Sequence, residues 1–124
     1  MIIRHLDEVT TVEWGNGLSR RFLVEADGMG YTVTDTTVLA DTKSRIEYRR
    51  HLEACYCIDG SGEVVDQNGQ SYRIEPGTLY ALDQHDAHFL IADPEQDMRL
   101  VCMFTPALVG DERHNLDAAE YSHY

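Results

Sequence analysis

Three side chains of this sequence, Glu53, Tyr80 and His88, have the chemistry to hold a divalent metal ion, and two turn-punctuated segments carry them. The first reads His51-Leu52-Glu53-Ala54-Cys55-Tyr56-Cys57-Ile58-Asp59-Gly60-Ser61-Gly62-Glu63-Val64: a glutamate on an alternating run, a Gly-x-Gly turn, then a returning run. The second reads Glu75-Pro76-Gly77-Thr78-Leu79-Tyr80-Ala81-Leu82-Asp83-Gln84-His85-Asp86-Ala87-His88: a Pro-Gly turn, a short run, a polar corner and a histidine opening the next run. A small barrel closed by these two hairpins brings Glu53, Tyr80 and His88 together in its mouth. A carboxylate oxygen, an imidazole nitrogen and a phenol suit a divalent ion such as iron or zinc. Taken singly, each has a plainer role: a solvated carboxylate, a surface or core histidine, a tyrosine capping a core with one hydrogen bond. Their joint occurrence is what points to a metal.

The elements that position them are strands. β-type composition marks 19–24, 31–39, 44–50, 52–58, 63–66, 71–74, 78–82, 88–92 and 98–104. Asp27-Gly28, Asp59-Gly60, Asn68-Gly69, Pro76-Gly77 and Asp93-Pro94 separate them, and Asn68-Gly69 between two short alternating runs is the clearest hairpin signal. Helical periodicity is confined to a short stretch after Asn115. Many short strands at close spacing predict a sandwich or barrel, whose closure removes aggregation-prone edges. One all-β domain spanning 1–124 is expected, with its core at about 19–106 and a polar tail over 107–124.

Bulk properties narrow the function. At 124 residues the chain has room for one domain with a real core. Its formal net charge of -12 argues against nucleic acid or an anionic membrane as a partner. No apolar stretch reaches membrane-spanning length, and the first residues lack a signal-peptide core, so a cytoplasmic location is expected. The three cysteines, Cys55, Cys57 and Cys102, read as free thiols of a reducing compartment. Cys55 and Cys57 should share the face of Glu53, as small core filler; no second pair completes a Cys-x-Cys zinc site.

The two segments resemble the paired motifs of the cupin superfamily, small jelly-roll barrels with a metal in the mouth. Glu53 to Gly60 fits the Glu-x6-Gly end of the first motif, and His88 fits the final histidine of the second. The His-x-His pair usual in the first motif is replaced by Glu47-Tyr48-Arg49, and Asp83 to Ala87 lacks the usual Pro and Gly. A narrower resemblance, to the ectoine synthase family, rests on Asp27-Gly28-Met29-Gly30, Thr36-Thr37, His51-Leu52-Glu53-Ala54, Tyr80-Ala81-Leu82-Asp83, His85-Asp86-Ala87-His88, Met98-Arg99-Leu100-Val101-Cys102 and Gly110-Asp111-Glu112-Arg113-His114. These words run in order over most of the chain. They imply an iron-dependent homodimer that closes N-γ-acetyl-diaminobutyrate into the cyclic solute ectoine with loss of water. The implied metal ligands are Glu53, Tyr80 and His88, holding Fe(II), with zinc or manganese as alternatives. The implied substrate contacts are Arg21, Thr36, Tyr48, His51, Cys102, Phe104, Glu112 and His114, together with Trp14, which sits farther upstream than the family's tryptophan. Thr34 stands where the family has Asn or His.

An amide carbonyl is a poor electrophile, so a Lewis acid on its oxygen lowers the barrier by several kcal/mol. The attacking amine must first lose a proton, and the departing hydroxyl must gain one. Tyr80, His51 and Glu112 are the candidate carriers, with His114 beside Glu112 as a relay; Arg21 is placed to pair with the substrate carboxylate. Two other functions fit the same motifs: a different cupin metalloenzyme, such as an oxygenase or sugar isomerase, and a non-catalytic small-molecule-binding cupin.

Overall fold

The computed structural model describes residues 1–112. Ten strands follow in chain order: β1 (Thr10–Glu13), β2 (Gly17–Leu23), β3 (Thr32–Val38), β4 (Lys43–Ile46), β5 (Leu52–Asp59), β6 (Gly62–Val65), β7 (Ser71–Ile74), β8 (Leu79–Leu82), β9 (His88–Ala92) and β10 (Met98–Thr105). A single 3-10 turn, Glu25–Asp27, lies between β2 and β3. The strands form two sheets, one ordered β1-β2-β3-β10-β5-β8 and the other β4-β9-β6-β7, with every pairing antiparallel.

Alternation fixes which side chains face inward. On β5, Glu53, Cys55 and Cys57 are buried while Ala54 and Tyr56 face out; on β10, Met98, Leu100, Cys102 and Phe104 are buried. The expected shared face of Glu53, Cys55 and Cys57 is therefore present. The core joins these to Ile46, Val64, Leu82 and Leu90, so both sheets contribute to one cluster.

Two strand assignments need correction. Residues 44–50 do not form one strand: β4 stops at Ile46, and the chain then leaves the four-stranded sheet to enter β5 of the other. Tyr48 is thus an inward-facing residue of a connecting loop, 5 % exposed. The sequence reading also missed β1, whose Thr-Thr-Val-Glu offers almost no apolar side chain and pairs at an edge through backbone hydrogen bonds with β2. The Asn68-Gly69 hairpin joins β6 to β7 as expected. Its loop is held by Asp66, whose Oδ1 accepts the Asn68 and Gln70 amides at 2.9 and 3.0 Å, with Gly69 at φ 79°.

After β10 the chain doubles back across β3. The Leu108 amide donates to Thr32 Oγ1 at 2.8 Å, the Glu25 amide donates to the Leu108 carbonyl at 2.7 Å, and the Leu108 side chain is fully buried. This return carries Glu112 to the inner surface. His114 and the expected helical stretch after Asn115 lie outside the described residues.

Candidate active site

The register places the chemistry in one row. Arg21 pairs with Thr34, Thr34 with Cys102, Cys102 with Cys55, and Cys55 with Tyr80. Register partners point to the same face of a sheet, so five strands set these five side chains side by side across the inner surface. The neighbouring row runs Phe104, Glu53, Leu82, and on the other flank lie Ser19, Thr36 and Leu100. Between this surface and Ile46 and Leu90 of the second sheet is a cavity of ≈ 400 Å³, its open mouth included. Trp14, Arg21, Thr36, Tyr48, Glu53, Tyr80, Cys102 and Phe104 all line it. Trp14 reaches it from the β1–β2 turn, where its indole Nε1 donates to the Thr37 carbonyl at 3.2 Å. Gly17 makes that approach possible: a Cβ there would sit 1.8 Å from the Thr37 carbonyl oxygen.

Glu53 is 7 % exposed and has no ion pair with any described cation. Burial pushes its carboxyl well above the usual range, and the neighbouring Cys102 adds to this against opposing hydrogen bonds from Cys55 and Tyr48. Tyr80 is half-buried as a residue, with its hydroxyl in desolvated surroundings; burial and the acidic groups of Cys55, Glu53 and Cys102 push the phenol well up. Hydrogen bonding from Cys55 pulls the Cys102 thiol below its ordinary value against the effect of burial, with Thr36 and Thr34 acting in the same direction.

His88 comes from the opposite sheet. It is 2 % exposed, is absent from the cavity lining, and meets Tyr80 ring to ring at 6.4 Å. Its Nδ1 donates to the Asp86 carbonyl at 2.9 Å, which leaves the lone pair on Nε2. That Nε2 is buried and has no hydrogen-bond partner among the described residues. Burial also lowers the imidazole pKa, favouring the neutral ring. A histidine fixed by a carbonyl on one nitrogen and bare on the other has the form of a metal ligand. Together with the buried carboxyl of Glu53 and the phenol of Tyr80, the donor types fit a divalent cation.

The remaining expected residues fall around the rim. Arg21, 4 % exposed, donates from Nε to Ser19 Oγ at 2.9 Å and from Nη2 to the Glu112 carbonyl at 2.6 Å. Among the described residues its Nη1 has no hydrogen-bond partner, and Glu112 Oε1 lies 3.6 Å away. Glu112 is turned toward its own backbone, accepting the Val109 and Gly110 amides at 2.8 Å each. Burial raises its pKa, but those amides and Arg21 prevail and keep it below the carboxylate norm. His51 also lies off the lining: Nδ1 donates to the Pro106 carbonyl at 2.8 Å and its ring meets Phe104 edge-on at 6.5 Å. His85, which reads as a solvated corner, is exposed but structural. With φ at 55°, its Nδ1 lies 2.8 Å from the Tyr48 carbonyl and 3.1 Å from that of His51, tying down the loop before β5. Sequence spacing coupled Cys55 to Cys57, whereas the fold couples it to Cys102 across the sheet.

Two facing antiparallel sheets with a cavity on their inner surfaces define the cupin-type jelly-roll fold. The same fold recurs in the polyketide cyclase RemF of Streptomyces resistomycificus, at TM-score 0.72 and 17 % identity over 85 % of this chain and 79 % of that one. Within that class the chain belongs to the ectoine synthase family, whose model matches residues 1–123, and so to the hydro-lyases. The L-ectoine synthase of Desulfatibacillum aliphaticivorans is 44 % identical over 96 % of this chain and 95 % of its own length. The crystal structure of ectoine synthase from P. lautus superposes with TM-score 0.83 at 43 % identity, covering 89 % of this chain and 81 % of that one.

Proposed function

We propose that this protein closes N-γ-acetyl-L-2,4-diaminobutyrate to ectoine with loss of water, on a divalent cation held by Glu53, Tyr80 and His88. Iron(II) is the proposed ion, with manganese as the substitute in that donor set, and the proposed setting is a cytoplasmic homodimer. Beyond family membership, one observation supports the reading most strongly: the bare Nε2 of buried His88, whose ring lies 6.4 Å from that of Tyr80. The tyrosine, methionine and leucine side chains exposed on the outer face of the six-stranded sheet, Tyr31, Tyr56, Leu79 and Met103, support the homodimer.

In the reaction, the α-amine nitrogen bonds to the acetamide carbonyl carbon, the carbon–oxygen bond breaks, and the oxygen leaves as water. The cation supplies Lewis acidity at the carbonyl oxygen. The protein does the rest. Arg21 Nη1 binds the substrate carboxylate, and Glu112 holds the guanidinium in place for it. Trp14, Tyr48 and Phe104 wall the cavity, Tyr48 packed edge-on to Phe104 at 5.2 Å, so the chain must fold back on itself. Such positioning contributes about 7–11 kcal/mol in well-oriented ring closures. Tyr80 lines the cavity and is the best placed of the proton carriers: its oxygen holds the proton that the departing hydroxyl needs. Thr36 and Cys102 border the same space from β3 and β10.

The test is to incubate metal-free protein with the acetylated diamine, with and without ferrous iron and without oxygen, following ectoine by proton NMR. Iron-dependent product that falls at least a hundredfold in Glu53→Ala is the expected result. Bound iron with no product would overturn the proposal.

A further inference from the structure

Two of the three thiols in this chain have no part in the proposed metal set, yet they lie against it. Glu53 presents a carboxylate oxygen and Cys55 and Cys102 present sulfurs, all within 4.8 Å of one another and all buried. The register explains the cluster: Cys55 and Cys102 are direct partners across β5 and β10, and Glu53 is two residues before Cys55 on the same face. Cys57, next along that face, is excluded because its thiol turns to the Asp59 and Gly60 carbonyls, at 3.5 and 3.6 Å.

A tetrahedral zinc ion with its usual bond lengths spaces two sulfurs and an oxygen about 3.5–3.8 Å apart. From a widest separation of 4.8 Å, the cluster needs to contract by at most roughly 1.0–1.3 Å to reach that. Thiolates select soft cations over magnesium or calcium, and zinc binds a given donor set more tightly than iron(II). We infer that Glu53, Cys55 and Cys102 form a second donor set that captures a thiophilic divalent cation, zinc or cadmium. Capture releases two thiol protons to solvent and leaves one carboxylate and two thiolates on the ion. A fourth position falls toward Tyr80, the register partner of Cys55 on the other side.

Because Glu53 belongs to both sets, the two ions exclude each other. A thiophilic cation therefore displaces the hard ion and stops turnover, so the binding claim stands alone while this consequence rests on the proposed reaction.

The experiment titrates reduced, metal-free protein with cadmium chloride alone and follows the ultraviolet sulfur-to-cadmium charge-transfer band. One equivalent should raise the band, Cys55→Ser and Cys102→Ser should each weaken cadmium binding at least ~tenfold, and His88→Ala should keep it. Circular dichroism checks the fold, and Cys55→Val replaces Cys55→Ser if the serine variant does not fold. No band in the native protein, or a full band in a folded Cys55 variant, overturns the inference. A second arm measures ectoine formation with iron against increasing zinc. Half-inhibition should need at least ~tenfold more zinc in Cys55→Val, scored against that variant's own zinc-free rate. A cadmium band with no iron-dependent ectoine would overturn the reaction and leave the thiol site standing.

Discussion

Glu53 shows how a site can oppose the fold that carries it. Its carboxyl is buried without a cation, so the metal-free protein bears a desolvation cost that a bound ion removes. Glu53→Gln should therefore stabilise the metal-free protein by about 1 kcal/mol, or roughly 3–6 °C in thermal midpoint, while abolishing stabilisation by added iron. Differential scanning with and without the ion reads both; a less stable metal-free variant would contradict this account of Glu53. Arg21 makes the complementary case. Its Nε and Nη2 are committed to Ser19 and Glu112, leaving Nη1 for the substrate. A lysine cannot keep all three directions at once. Arg21→Lys should lower kcat/KM by about 10–100-fold, mainly through KM; an unchanged KM would remove Arg21 from the substrate site. Glu53 and Tyr80 were legible in the sequence because each lies within a motif. The involvement of Cys55 was not, because only the pairing of β5 with β10 brings Cys102 beside it.

Elements were legible where alternation is strong. β5 and β10 carry an apolar or small residue at every inward position except Glu53, and both strands lie within a residue of their expected ends. β1 has no such pattern, because an edge strand can form through its backbone alone. Residues 47–50 read as strand because tyrosine and charged residues mix there, yet that segment must cross between sheets. What holds it is His85, bonded to the backbone of Tyr48 and His51 from the far side of the site. His85→Ala should leave the barrel folded while releasing Tyr48 from the cavity wall. The expected signature is a fall in kcat/KM of about tenfold, from about 1–1.5 kcal/mol of lost hydrogen bonding, with the thermal midpoint shifted by no more than a few degrees. Steady-state kinetics beside a melting curve would show it, and unaltered kinetics would mean the loop holds itself.

At the scale of the whole molecule, acid should unfold this protein in steps set by paired carboxylates. Asp27 is held at about 2 by its hydrogen bonds to Arg4, with help from the Val24 amide. Asp35 is desolvated, but Arg99 and Arg20 outweigh that and keep it below its ordinary value. A folded pKa below the unfolded one gives stability that is complete above the unfolded value, 3.8 for aspartate, and lost as pH falls toward the folded value. The thermal midpoint should therefore drop steeply below about pH 4, and Asp27→Asn should flatten that slope; an equal slope in the variant would exclude Asp27 as a contributor. The sheet order carries a consequence for how the protein is made. β10 follows every other described strand, yet it lies between β3 and β5 in the middle of the large sheet. Until it is synthesised, two half-sheets wait with their inner edges open, β3 on one side and β5 on the other. Assembly is therefore late and all at once, the nascent chain is most exposed to sticking to its neighbours just before completion, and no shortened product lacking β10 can hold even part of the pocket.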